Sequence, residues 1–155
     1  PPLSAQLIST YKETGCSVMA TIHDPPELER YGIIALAEDG LHVTDIVEKP
    51  APGSEPSREA TIGRYLYTPD IFPCLREGWE AHTEAASSPG APKEYYHTYA
   101  LKKLMEANRV VFRQTEGLRL DTGAPEGYLR AILTYASNRP ELAAVMKEEM
   151  RRLDL

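Results

Sequence analysis

The stretch YGIIALAEDGLHVTDIVEKP, residues 31–50, decides the fold because it holds two strand-like runs separated by a turn. Residues 31–37 and 41–48 are rich in aliphatic and β-branched side chains, and the turn EDG between them is typical of a hairpin. A hairpin pairs its two strands antiparallel. The sheet that these strands join therefore contains at least one antiparallel pair.

Strand-like and helix-like segments alternate along the rest of the chain. Hydrophobic patterns predict strands at residues 16–22, 59–67, 110–115 and 118–121, and helices at 4–14, from Pro69, 94–107, 125–138 and 140–151. The run CSVMATI, residues 16–22, is mostly apolar, as expected of a strand covered on both faces. The alternation predicts an α/β fold, with a mixed sheet flanked by helices in a single domain over residues 1–155. Residues 81–92, AHTEAASSPGAP, are small and polar and are expected to lack regular structure.

Bulk composition excludes several classes of protein. The chain has 155 residues, 42% hydrophobic and 26% charged, with no apolar run close to the length of a membrane span. Its net charge is -6 and its basic residues are not gathered into one stripe, which argues against nucleic acid as the main partner. The cysteines, Cys16 and Cys74, lack metal-ligand spacing. No segment resembles a signal peptide, so a cytoplasmic location is expected.

Glu48 and Lys49 stand side by side at the end of the second hairpin strand, directly before Pro50. In a ligand site the carboxylate could accept sugar hydroxyls and the ammonium could act as a point charge on a phosphate. Both reach one site only if the strand ends there, and Pro50 supplies such an end. The alternative is a solvated, charged strand end. Gly32, which enters the first hairpin strand, either lets a ligand approach the backbone or is a bulge or turn glycine.

Asp121 follows the short predicted strand, and Thr122 and Gly123 turn the chain before a helix that begins near Pro125. A carboxylate in this position suits Mg²⁺, which takes a few protein oxygens and completes its shell with substrate phosphates. The alternative is that Asp121 and Thr122 accept hydrogen bonds from free backbone N–H groups of the turn and helix. The sequence leaves both interpretations open.

Four segments occur in an order that resembles one family. They are RYGII (30–34), VEKP (47–50), TIGRYLYTPDIF (61–72) and LRLDTGAPEGYLRA (118–131). Together they resemble the second half of bacterial UTP–glucose-1-phosphate uridylyltransferases, which belong to the sugar-1-phosphate nucleotidyltransferases. LISTYKETGCSVMA (7–20) and NRPEL (138–142) also look like flanking segments of this family. The resemblance covers nearly the whole chain.

The resemblance implies a partial Rossmann-like nucleotidyltransferase fold and a definite reaction. An oxygen of glucose 1-phosphate attacks the α-phosphorus of UTP in line, and UDP-glucose and pyrophosphate are the products. Such a reaction depends on positioning and charge neutralisation. Lys49 and Asp121 would be the catalytic residues. The site would hold the sugar on Gly32 and Glu48, its phosphate on Lys49, Mg²⁺ on Asp121, and the pocket wall on Thr61 and Gly63.

The chain departs from the family pattern in two places. The Gly-rich GxGTR-type loop that cradles the triphosphate, a nearby lysine and a second metal aspartate would all belong upstream of Pro1, and none is present. KEYYHTYAL (93–101) replaces a GEIQLTDAL-like segment, so Tyr96 stands in place of a glutamine and Tyr99 in place of an aspartate.

These departures set the functional expectation. The chain is expected to be the C-terminal half of the enzyme, carrying the sugar-1-phosphate side of the site and inactive alone. It should bind glucose 1-phosphate and UDP-glucose, take UTP only with the missing N-terminal half, and hold Mg²⁺ weakly or not at all. An exposed sheet edge and apolar face predict a homo-oligomer. The alternative is a standalone sugar-phosphate-binding or regulatory module without transferase activity.

Overall fold

The computed structural model describes residues 1–85 and 94–154. Its elements, in chain order, are α1 (Leu3–Thr14), β1 (Ser17–His23), β2 (Gly32–Leu36), β3 (Val43–Glu48), β4 (Glu59–Leu66), α2 (Ile71–Ala85), α3 (Thr98–Glu106), β5 (Val110–Gln114), α4 (Pro125–Ser137) and α5 (Pro140–Arg152). A 3₁₀ turn, Leu28–Arg30, lies between β1 and β2. None of the helices formed by the described residues is long and apolar enough to cross a membrane.

The chain forms two compact units. The first, Pro1–Glu116, contains the whole sheet and helices α1 to α3. The second, Gly117–Leu155, contains α4 and α5. The expectation of a single domain over residues 1–155 stays a prediction.

The sheet has five strands in the order β3-β2-β4-β1-β5. β1 and β5 are parallel, whereas the pairs β2–β3, β2–β4 and β1–β4 are antiparallel. The mixed sheet predicted from the hairpin is therefore confirmed. The hairpin itself forms as expected, with Gly32 opposite Glu48 and Ile34 opposite Ile46.

Strand β4 carries a bulge where it pairs with β1. Met19 pairs with Tyr65 and Thr21 pairs with Thr61, so two residues of β1 span the same distance as four residues of β4. Gly63 lies within this bulge with φ +66°, a left-handed conformation that glycine adopts without steric cost. The bulge bends β4 directly after Thr61.

The core packs on both faces of the sheet. One face is covered by α2 and α3, with buried residues Met19, Ile34, Val43, Ile71, Ala100, Leu101, Leu104, Met105 and Val110. The other face is covered by α1, with buried residues Leu7, Cys16, Val18, Ala20 and Val111. Strand β1 contributes to both clusters, which confirms the prediction that it is covered on both faces.

Two predictions of local structure were wrong. Residues 118–121 form no strand, because Leu118 and Leu120 are exposed and no neighbouring strand pairs with this stretch among the described residues. Residues 81–85 continue helix α2, since Ala and Glu favour a helix and Thr83 donates its hydroxyl to the Glu80 carbonyl. The rest of the stretch expected to be irregular, residues 86–92, lies outside the described residues.

Candidate functional site

The β2–β3 hairpin brings a carboxylate directly over a glycine. Gly32 is buried at the start of β2 and pairs with Glu48 at the end of β3. A Cβ added at Gly32 would lie 2.8 Å from the Glu48 Oε2 and 3.1 Å from the Thr61 Cγ2. Three of the predicted site residues therefore meet at one point. Glycine fits here without a shift of its neighbours, because the end of the Glu48 side chain lies in the space that a larger residue would fill.

Lys49 is the first residue beyond β3, and its backbone is left-handed. Its φ is +48°, a conformation that costs a non-glycine residue about 1–2 kcal/mol. The Lys49 N–H donates to the Tyr31 carbonyl over 3.0 Å, which holds the turn, and the next residue, Pro50, is buried. The strand thus ends where the sequence predicted. The Lys49 side chain is exposed.

A cavity of about 710 Å³ opens beside Glu48. Its polar lining consists of Glu48, Thr61, Tyr96, Thr98 and Lys102. Its apolar lining consists of Ile46, Tyr65, Leu101 and Met105. This volume lies within the range of small-molecule sites, and the mixture of apolar walls with a few convergent polar groups is typical of them.

Only some of the residues predicted to bind the sugar phosphate line this cavity. Glu48 and Thr61 line it, whereas Gly32, Lys49 and Gly63 do not. Gly32 lies beneath the Glu48 carboxylate, and Gly63 lies in the β4 bulge with open space where its side chain would be. Lys49 follows Glu48 directly in the chain. All five belong to the first compact unit.

The two tyrosines that depart from the family pattern have different surroundings. Tyr96 lines the cavity and is 60% exposed, and its hydroxyl donates to the Glu94 Oε2 over 2.7 Å. That hydrogen bond raises the pKa of the Tyr96 phenol. Tyr99 donates to the Glu77 Oε1 of α2 over 2.7 Å, which raises the pKa of the Tyr99 phenol and lowers the pKa of the Glu77 carboxyl. Tyr96 therefore faces the cavity, whereas Tyr99 joins α2 to α3.

Asp121 belongs to the second compact unit, where a local turn engages its carboxylate. Its Oδ1 accepts the Gly123 N–H over 3.0 Å, and its Oδ2 accepts from the Arg119 Nη2 over 3.0 Å. The part of the alternative that concerns Asp121 and a backbone N–H of the turn is thus observed. Its backbone carbonyl lies so close to α4 that a Cβ at Gly127 would overlap it. Across residues 1–85 and 94–154, no three His, Cys, Asp or Glu side chains form a group that could hold a metal.

Sequence reasoning missed the contribution of helix α3 to the cavity. Thr98, Leu101, Lys102 and Met105 all line it, at the spacing i, i+3, i+4 and i+7 of one helix face. Leu101 and Met105 were visible as apolar residues, but Thr98 and Lys102 look like ordinary surface positions. The signal that could have found them was a hydroxyl and an ammonium placed on an otherwise apolar face.

A family model described as nucleotidyl transferase matches residues 4–138. The chain belongs to this family. The family match spans the complete sheet and the second unit through helix α4. The α/β architecture is the one found in solved nucleotidyltransferase structures, so the predicted fold class is confirmed.

Relatives of known name carry the resemblance further. The chain is 36% identical over 157 residues to a UTP–glucose-1-phosphate uridylyltransferase of Streptococcus pneumoniae serotype 4, with 98% of this chain and 50% of that protein covered. It is 38% identical over 151 residues to UTP–glucose-1-phosphate uridylyltransferase 2 of Streptococcus pyogenes serotype M3, with 94% and 48% covered. The chain spans about half the length of these relatives.

Solved structures agree with these relatives. UTP-bound UGPase from Acinetobacter baumannii superposes with a TM-score of 0.74 at 25% identity, covering 96% of this chain and 50% of that one. A UDP-glucose pyrophosphorylase complexed with UDP-glucose superposes with a TM-score of 0.64 at 36% identity, covering 86% and 49%. The predicted relationship to this group of uridylyltransferases is confirmed.

Proposed function

We propose that this chain supplies the sugar-1-phosphate side of a UTP–glucose-1-phosphate uridylyltransferase. The observation that carries the proposal is the Glu48 carboxylate, which lies over Gly32 and lines, together with Thr61, a cavity of ligand size. A carboxylate with apolar walls around it suits a sugar, because sugar hydroxyls donate to the oxygens while the ring packs on the apolar surface. The names of the matched relatives support this substrate class.

Each residue has a proposed task in binding. Glu48 accepts sugar hydroxyls, and Gly32 acts through it by leaving room for the carboxylate. Thr61 offers a hydroxyl from the cavity wall, and the Gly63 bulge bends β4 so that Thr61 stays at the cavity edge. Lys49 places a positive charge on the sugar phosphate from the turn that follows Glu48.

The transfer reaction requires more than this set of residues. In the proposed reaction the phosphate oxygen of glucose 1-phosphate attacks the α-phosphorus of UTP, the bond to pyrophosphate breaks, and UDP-glucose forms. The sequence contains no Gly-rich loop for a triphosphate. We therefore expect this chain alone to bind the sugar phosphate and UDP-glucose without turning them over.

Asp121 is the one residue of this chain that we propose as a ligand of Mg²⁺. We propose this carboxylate as one ligand of a magnesium ion that would neutralise phosphate charge in the complete site. Arg119 shares the carboxylate, and a single protein oxygen holds Mg²⁺ weakly because this ion relies on several oxygens in octahedral geometry. Weak or absent binding of Mg²⁺ by the isolated chain is the expected result.

Two further parts of the proposal concern the setting. Nucleotides and sugar phosphates are intracellular metabolites, so we propose the cytoplasm as the location.

Helices α4 and α5 expose several large apolar side chains, including Leu129, Ile132 and Val145, and we propose that the isolated chain self-associates as a homo-oligomer.

The binding test is an NMR titration of the isotope-labelled chain with glucose 1-phosphate and with UDP-glucose. We expect saturable shifts at residues around the cavity, weakened about tenfold or more in Glu48→Gln and Lys49→Ala because each removes a charge-assisted hydrogen bond. Lys12→Ala, an exposed lysine in the last turn of α1, is the matched control and should bind as the unmodified chain does. A folded chain that shows no saturable shift with either ligand would refute the proposal.

A further inference from the structure

Lys102 is the cation that the cavity itself presents. Among the described residues that line the cavity, it carries the sole positive charge, whereas Lys49 lies outside the lining. Lys102 projects from α3, while Glu48 and Thr61 come from the opposing sheet. A ligand that fills the cavity would therefore meet a carboxylate on one wall and an ammonium on the other.

The resting partner of Lys102 is held loosely. Its Nζ lies 3.6 Å from the Asp45 Oδ1, at the long end of an ion pair, and the two side chains are 62% and 51% exposed. The same Asp45 oxygen also accepts the Ile46 N–H over 2.8 Å, which ties it to its own strand. An exposed pair of this kind is weak, so the ammonium can exchange Asp45 for a better anion at small cost.

Neighbouring Lys103, also in α3, makes contacts that stabilise the fold. Its Nζ lies 3.3 Å from the Glu77 Oε1 and 5.6 Å from the centre of the Tyr99 ring, and it does not line the cavity. The contact with Glu77 binds α3 to α2, whereas the contact with Tyr99 lies within α3. Lys102 makes no such connection between helices among the described residues.

We propose that Lys102 binds the phosphate of a hexose 1-phosphate, leaving Asp45 when the ligand enters. The inference rests on the proposed function and deepens it, because it names a second phosphate-binding lysine on the helix side of the cavity. The ammonium of Lys102 and that of Lys49 share the phosphate charge from two elements of the first unit. Asp45 is the counter-ion that competes with the ligand for Lys102.

The test compares glucose 1-phosphate with glucose, which lacks the charge, in NMR titrations of the full chain. Lys102→Met should weaken binding of glucose 1-phosphate about tenfold or more and leave the binding of glucose unchanged. Asp45→Asn should tighten binding of glucose 1-phosphate by a few-fold, since it releases Lys102 while keeping an oxygen for the Ile46 N–H. Lys103→Met is the matched control and should bind both ligands as the unmodified chain does.

The outcomes separate this inference from the function on which it rests. If Lys102→Met binds glucose 1-phosphate normally while Lys49→Ala does not, the sugar-phosphate site stands and the role of Lys102 is refuted. If Asp45→Asn weakens binding, the counter-ion exchange is refuted, because a purely structural pair gives loss and never gain. If the unmodified chain binds glucose but shows no preference for glucose 1-phosphate, both the phosphate site and this inference fail.

Discussion

The two compact units of the chain differ in how many of their apolar side chains they bury. The first unit buries them on both faces of a five-stranded sheet, and the cavity beside Glu48 is lined by residues of the same strands and helix that form this core. In the second unit α5 buries no residue and α4 buries only Ala131 among its described residues. Glu48 is therefore exposed but stands on a strand of the packed sheet, whereas Asp121 is held by the hydrogen bonds of a local turn.

The largest expected effect comes from making the same substitution in each unit. Ile34 is fully buried in the first unit, whereas Ile132 is 46% exposed in the second. Ile34→Ala should lower the free energy of unfolding by about 2–5 kcal/mol, because it removes buried methylene groups and leaves a cavity. Ile132→Ala should lower it by about 1 kcal/mol or less, since its side chain already meets solvent. Urea denaturation followed through Trp79, the one tryptophan, reports on the first unit.

Circular dichroism of the same samples reports on the helices of both units. An Ile132→Ala chain that loses as much stability as Ile34→Ala would contradict the expectation that the Ile132 side chain is exposed to solvent. It would mean that a partner surface covers Ile132 itself in solution. Sedimentation of both variants at several concentrations would then identify that partner as a second copy.

A smaller effect is expected from adding one methyl group at a glycine of each unit. A Cβ at Gly127 would overlap the backbone carbonyl of Asp121, whereas a Cβ at Gly32 would chiefly meet the movable end of the Glu48 side chain. Gly127→Ala should therefore cost about 1–3 kcal/mol of stability, despite the better helix propensity of alanine. Gly32→Ala should cost about 1 kcal/mol, and glucose 1-phosphate binding should fall as the carboxylate moves. Thermal unfolding and the binding titration measure the two effects.

A double-mutant cycle measures how much of the cost of Gly32→Ala comes from the Glu48 side chain. In the background of Glu48→Ala the methyl group added at position 32 loses its main obstacle, so Gly32→Ala should cost less there than in the unmodified chain. Equal costs in the two backgrounds would show that the neighbouring Ile46 and Thr61 methyl groups, 3.0 Å and 3.1 Å from the added Cβ, dominate. The carboxylate would then not be the reason for glycine at this position.

The fold was largely predictable because its signals are local. The turn EDG indicates the β2–β3 hairpin, the run CSVMATI indicates a strand covered on both faces, and Pro125 and Pro140 stand at the starts of α4 and α5. The failures at residues 118–121 and 81–85 came from interpreting short patterns without their partners. Alternation in LRL indicates a strand only if another strand pairs with it.

The candidate site was predictable only in part, because a site depends on long-range packing. Glu48 and its turn could be recognised since Pro50 marks the strand end, and their assembly with Gly32 follows from the hairpin register. Lys102 was missed because its place on an otherwise apolar helix face is a weak signal, and nothing in its local sequence shows that α3 packs beside the hairpin. The roles proposed for all the site residues stay predictions; these residues are Gly32, Glu48, Lys49, Thr61, Gly63 and Asp121.

The smallest expected effect concerns the backbone of Lys49 and has two parts of opposite direction. Lys49→Gly relieves a left-handed conformation that costs a lysine about 1–2 kcal/mol, but it frees the unfolded chain by about 0.4–1 kcal/mol. The net result is a gain of roughly 0.5 kcal/mol in stability, because the relief is the larger of the two terms. Lys49→Ala is the matched variant: it removes the same charge and keeps the strained backbone, so it should be the less stable. Both should lose affinity for glucose 1-phosphate equally. If Lys49→Gly instead retains that affinity, the ammonium is not needed, and the strained turn serves only to aim Glu48 into the cavity.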